Sequence, residues 1–199
     1  MGFISGLFAA ATTIVKAVNI IATAVSAVTT IVTAVSKVLG LTQTDNPEEL
    51  GQKALQAEEQ NIRPEDFKSY AEYVKEVESL DLDPARVSKW SKEQKEAKAL
   101  EVSASLFTEK FGVENTSAMF QEIAKRPDFF TPERTKQYFE VSQEKSIDLG
   151  KISDLINNKT TDVNKILEAK NLMFEIEKTI NPELTSLENS KKIMELRAD

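Results

Sequence analysis

The sequence predicts an all-α protein in two parts. A long apolar N-terminal heptad helix would form an oligomeric bundle or barrel, and an acidic multi-helix body would follow it. Three observations predict this. Residues 3–41 carry apolar side chains at alternating spacings of three and four, with almost no charge. Beyond residue 46, prolines preceded by capping residues and followed by acids recur along the chain, the pattern of successive helix starts. No run of strict apolar–polar alternation between turn residues argues for a strand.

The first element is expected to run from Phe3 to about Leu39, roughly 55 Å at 1.5 Å per residue, with Gly40 as its C-terminal stop. Its seam is Ile4, Leu7, Ala11, Ile14, Val18, Ile21, Val25, Val28, Val32, Val35 and Leu39, the a and d positions of a seven-residue repeat. The neighbouring g positions (Phe3, Ala10, Ala17, Ala24, Ile31 and Val38) are all apolar as well. Polar residues occupy mainly b and f, a narrow strip that includes Thr12, Lys16, Asn19, Thr23, Ser26, Thr30 and Lys37. A two-stranded coiled coil needs apolar residues only at a and d, with charges at e and g, so a wider arc predicts more than two chains. The partner this implies is the chain itself, together with other proteins of a larger assembly.

A bilayer is the second environment the segment fits. Ala17 to Ser36 is twenty residues without a charge, the length needed to cross about 30 Å of hydrocarbon. Lys16 and Lys37 bracket it and would reach the two membrane interfaces. The same two lysines are three heptads apart and share position f, which helix packing explains better than depth in a membrane. A third reading buries the segment in its own chain. It is the least expected, because the remaining helices read as short and one-sided.

Domain boundaries follow the composition: residues 1–41 as the heptad segment, 42–46 as a polar linker, and 47–199 as the body. Asn46-Pro47, Asp83-Pro84 and Thr131-Pro132 each place a cap before proline at the first helical position. Pro64 with Glu65 and Asp66 marks a weaker start, and Asp162 caps a helix beginning near Val163. Pro127 ends a short helix, and Pro182 separates the last two. Apolar stripes at helical spacing run through Phe67, Tyr70, Val74 and Val77; through Val87, Trp90, Gln94, Ala97, Ala104, Phe107 and Phe111; and through Val163, Ile166, Met173, Ile176 and Ile180.

Charge and residue types exclude much chemistry. Residues 1–41 hold two lysines and no acid; the remaining 23 basic residues, set against all 32 acids, give residues 42–199 a net charge of −9. An acidic body argues against direct sequence-specific nucleic-acid binding, whose footprints are basic. With no His and no Cys, disulfides, cysteine zinc sites, histidine-ligated haem and every His- or Cys-based catalytic scheme are absent. No enzyme, metal or cofactor is expected. The N-terminus lacks the basic start of a cleavable signal peptide, and Gly6 stands where a myristoylation motif carries Ser or Thr.

The acid pairs Glu48/Glu49, Glu58/Glu59 and Asp81/Asp83 read as helix-end or solvated charges. Trp90 reads as core. Phe129-Phe130, between Pro127 and Thr131, is the candidate for docking a partner. Asn115-Thr116-Ser117 and Asn158-Lys159-Thr160 match the glycosylation pattern by chance.

A His-free, all-helical chain with a Gly/Ala/Val/Thr-rich N-terminal segment resembles the internal or ejected virion proteins of tailed bacteriophages. It is also similar to the apolar helices of tail tape-measure proteins. The resemblance covers mainly residues 1–41 and the helical style of the rest, and carries no functional residue. It implies a structural component that lines or plugs a channel in a phage-like particle and aids delivery of DNA or cargo across a membrane. The chain would then be made in the cytoplasm, built into the particle, and inserted on delivery. The alternatives are a pore-forming toxin with a membrane-inserting N-terminal helix, and an oligomeric adaptor whose body binds a protein.

Overall fold

The capping residues read from the sequence begin helices in the computed structural model, which describes residues 2–21, 25–39 and 46–198. Asn46 Oδ1 accepts the Glu48 amide at 3.0 Å and opens α3 (Pro47–Glu59). Asp83 caps α5 (Pro84–Val87), Thr131 caps α8 (Pro132–Lys145), and Asp162 caps α10 (Val163–Ile180). Pro64–Asp66 forms only a 3₁₀ turn. Ser69 then starts α4 (Tyr70–Ser79), whose first amides are also held from outside. Glu109 accepts from the Tyr70 and Ala71 amides at 2.8 and 3.2 Å.

Among the described residues every regular element is helical, so the all-α class stands. In the N-terminal part the described residues form α1 (Gly2–Ile21) and α2 (Val25–Leu39); residues 22–24, within the expected helix from Phe3 to Leu39, lie outside the described residues. The expected stop at Gly40 and linker 42–46 lie outside the described residues, apart from Asn46.

The middle of the chain holds the largest correction. The stripe from Val87 to Phe111 is not one helix. Ser91 and Gln94 make a capping box, with the Gln94 amide 3.3 Å from Ser91 Oγ and the Ser91 amide 2.8 Å from Gln94 Oε1. That box starts α6 (Lys92–Phe111) and leaves Trp90 half-buried in the connection before it. Gly112, at φ 83°, turns the chain directly into α7 (Val113–Lys125). The last helices are α9 (Leu149–Ile156) and, beyond Pro182, α11 (Ser186–Ala198).

Helix α6 is the axis of the fold. Its stretch Val102–Thr108 has no charge and is buried on every side, which amphipathic helices never are. Helices α3, α4, α7, α1 and α2 all pack on it. Helix α1 rests on α6 and α7; α2 rests on α6, α7 and α8, with an edge on α3. The apolar segment is therefore covered by its own chain, the arrangement least expected from the sequence. Short, one-sided helices suffice because several of them share the task around the uncharged, buried stretch Val102–Thr108 of α6. Ala11, Ile14, Ala27, Ile31, Val32, Val35 and Val38 join one core cluster with Phe107, Phe120, Phe139 and Met173. Among the described residues, these buried apolar side chains of α1 and α2 belong to the same core cluster as those of the body.

One close approach fixes α3 on α6. A methyl group added at Gly51 would lie 1.9 Å from the Lys95 carbonyl oxygen. The overlap is with backbone, so a helix must move, at a cost of about 1–3 kcal/mol that outweighs the helix propensity of alanine. Gly51→Ala should therefore lower the melting temperature by several degrees in circular dichroism; an unchanged or raised value would show that α3 and α6 do not meet this closely.

Candidate functional site

The described seam residues lie on the inward face of α1 and α2. Leu7, Ala11, Ile14, Val32 and Val35 are buried and Val28 is half-buried. The side chains of Ile4, Val18, Ile21, Val25 and Leu39 lie outside the described ones. Of the expected polar strip, Thr12, Lys16 and Lys37 are exposed and Thr30 is buried. Gly6, Ala9, Thr12, Thr13 and Lys16 are exposed on α1, and Thr29 and Lys37 on α2. Thr13 Oγ1 donates back to the Ala9 carbonyl at 2.9 Å, so even this hydroxyl is spent locally.

The two bracketing lysines have separate surroundings. Lys16 is exposed on α1, while Lys37 pairs with Glu133 at the start of α8. That hydrogen bond from Lys37 holds the Glu133 carboxyl below its usual range. Lys110 of α6 donates to the Val38 carbonyl at 3.5 Å, so charged groups of the body meet the end of α2. Among the described residues no helix is long and apolar enough to cross a membrane.

The second candidate, Phe129-Phe130, splits into two roles. Both amides fold back onto the Arg126 carbonyl, in the turn between α7 and α8. Phe130 is fully buried, edge-on to Tyr138 at 5.4 Å, and belongs to the core. Phe129 is half-buried, with the Arg134 guanidinium 4.4 Å over its ring. It forms a wall between two clefts. One, of about 470 Å³, is lined by Lys125, Arg126, Asp128, Arg134, Lys192 and Glu195. The other, of about 410 Å³, is lined by Thr131, Glu133, Gln137 and Ile180. Because Glu133 also holds Lys37, this second cleft borders the end of α2.

Behind the cations of the first cleft lie two buried carboxylates. Glu122 Oε1 accepts from Ser153 Oγ at 2.7 Å and from Asn157 Nδ2 at 2.5 Å, while Oε2 pairs with Arg126 at 2.6 Å. Glu177 Oε1 accepts from the Tyr138 hydroxyl at 2.8 Å, and Oε2 pairs with Lys192 at 2.9 Å and Arg134 at 3.2 Å. Both residues are 0% exposed, so their partners are what make burial tolerable. Burial, and beside it Glu177, holds the Tyr138 phenol well above its usual pKa. Neither carboxylate stood out in the sequence. The available signals were Glu122 four residues before Arg126, and Glu177 four residues after Met173 on a buried stripe.

No family model matches the chain, and neither a curated protein nor a solved structure matches it.

Most of the acid pairs read from the sequence have structural partners. Glu48 and Glu49 stand in the first turn of α3 and pair with Lys92 and Lys53. Glu58 pairs with Lys98, Glu59 with Arg86, and Asp83 is a cap. Among the described residues no group of three acids is placed to hold a metal ion. A cleft of about 700 Å³ lies where the α6–α7 and α8–α9 turns meet, at Gly112 and Ser146. Its acids, Glu114 and Asp148, begin helices α7 and α9. Asn115, in the first glycosylation-like triplet, accepts the Leu149 amide at 2.8 Å; Asn158, in the second, pairs with Arg197.

Proposed function

We propose that the chain is a non-enzymatic structural protein of a phage or phage-like particle, and that copies associate through the outward face of α1 and α2 to line or plug a channel. The observation that carries this is the charge pattern of that face. Over the exposed positions Gly6, Ala9, Thr12, Thr13, Lys16, Thr29 and Lys37 there is no acid, in a chain of net charge −7. The solvent face of α10, by contrast, carries Lys165, Glu168, Glu175 and Lys178. A face that met only water would carry such charges; one that meets another protein surface gains from small side chains that allow close approach. The seam itself stays in the core of each copy. Displacing it would strip α6, α7 and α8 of their cover. The likeness of residues 1–41 to tailed-phage internal proteins supplies the setting, the acidic bodies facing the rest of the assembly.

The test is the mass of the particle in solution. The wild-type chain should show an oligomer of more than two copies by light scattering. The double variant Ala9→Glu/Thr13→Glu should keep its helix content and melt within about 2 °C of wild type, since exposed substitutions cost at most about 0.5 kcal/mol each. Its mass should fall to that of one chain. A wild type that stays monomeric at every concentration would end this reading. Release of dye from liposomes by that monomer would favour the pore-forming alternative, because the same charge-poor face would then rest on lipid.

A further inference from the structure

We propose that the cleft beside Phe129 binds a phosphate-type anion, a site that stands independently of the assembly reading. Its lining presents four cations, Lys125, Arg126, Arg134 and Lys192, against two acids, Asp128 and Glu195. The lining alone carries two more cations than acids, and the buried Glu122 and Glu177 behind it supply the balance, so what the cleft offers is held N–H donors rather than net charge. It gathers residues from three helices and a turn, α7, the Arg126 turn, α8 and α11, which only the fold brings together.

The cations are held in place rather than solvated at random. The Arg126 side chain is 9% exposed; its Nε donates to the Leu196 carbonyl at 3.1 Å and its Nη1 to Glu122. Those bonds engage two of the five N–H donors of a guanidinium, and the fork is fixed before an anion arrives. Arg134 is braced between Glu177 and the ring of Phe129, and Lys192 by Glu177. Such pre-positioned donors lose little freedom on binding. Phe129 walls off one side and keeps water from that face of Arg134, which raises the strength of any charge contact made there.

The buried Glu122 and Glu177 lie behind these cations; Ser153, Asn157 and Tyr138 occupy one oxygen of each, and the other oxygen pairs with Arg126, or with Arg134 and Lys192. Counting them, the cluster is formally neutral, so the expected affinity for a simple phosphate is millimolar. The volume of about 470 Å³ admits a phosphate with bridging water. The ion could be free inorganic phosphate or the phosphate of an anionic lipid headgroup; the chemistry recognised is the same.

Titration calorimetry of the intact chain with inorganic phosphate tests it, with two variants of opposite sign. Lys125→Gln should weaken binding and Glu195→Gln should strengthen it, each by about two- to fivefold, the range one partly exposed charge supports. Neither side chain is in the core, so far-ultraviolet circular dichroism should be unchanged for both. A second arm uses phosphatidylglycerol vesicles in a sedimentation assay. Co-sedimentation that inorganic phosphate competes away identifies the headgroup as the source, whereas phosphate binding without vesicle binding identifies the free anion. Absence of saturable phosphate binding in the millimolar range overturns the proposal. So does binding that both charge variants leave unaltered.

Discussion

A chain shortened to residues 46–199 is expected not to fold to the native body. Six large apolar side chains of the deleted part, Leu7, Ile14, Ile31, Val32, Val35 and Val38, are at most 8% exposed in the full chain. At about 1.5–3 kcal/mol each their burial is on the order of 10 kcal/mol, comparable with the whole stability of a typical domain of about 5–15 kcal/mol. Truncation also removes the entropy cost of ordering α1 and α2. That saving does not help the surfaces left behind: to fold, α6, α7 and α8 would still have to be ordered, now without their cover over a similar apolar area. The fragment should show reduced helix content, bind a hydrophobic dye and lack a cooperative melt. A fragment that melts cooperatively within a few degrees of the full chain would show that the core is divided after all, as the composition suggests.

That contrast marks what the sequence can and cannot convey. Helix starts were legible because their signals are local: Asn46, Asp83, Thr131 and Asp162 each lie beside the amides they cap. Chain-end punctuation by Pro127 and Pro182 was legible for the same reason. The described members of the heptad seam, Leu7, Ala11, Ile14, Val32 and Val35, are buried, with Val28 half-buried. The seam could not say what covers them, because a repeat of seven fits a neighbouring copy and the chain's own α6 equally well. The stripe from Val87 to Phe111 passes through Val102–Thr108, whose lack of charge over two turns is the mark of a helix buried all round. Gln94 and Ala97, counted in that stripe, are exposed; the Ser91–Gln94 capping box explains why a new helix begins there. Val163 likewise lies 76% exposed at the first position of α10, beyond the reach of the core. The Phe129 cleft was half legible. Two adjacent aromatics between turn residues flagged the place, but its cations come from positions as distant as Lys125 and Lys192, which no spacing rule joins.

The buried carboxylates give the second large effect. Glu177→Gln is expected to lower the melting temperature by about 10 °C. The amide oxygen can still accept the Tyr138 hydroxyl, which limits the loss on that side. Arg134 and Lys192 then lose their ion pairs with Glu177, and their charges sit at 21% and 28% side-chain exposure. Removing one partner from such a group costs about 3–5 kcal/mol, which is what sets the size of the shift in a chain of this length. The alternative cause would be lost packing, and the two are separable. Gln is nearly isosteric with Glu, so a packing role predicts almost no change. The triple variant Glu177→Met/Arg134→Met/Lys192→Met removes all three charges together and should recover most of the stability, because well-packed apolar residues commonly replace a buried ionic group without net loss. If the triple variant is instead less stable than Glu177→Gln alone, the group acts through its hydrogen-bond geometry, with the Tyr138 hydroxyl left unpaired as the dominant cost. Thermal melts of the two variants beside wild type decide between these accounts, and Phe129 reports the local consequence, since Arg134 holds its ring at 4.4 Å only while Glu177 holds Arg134.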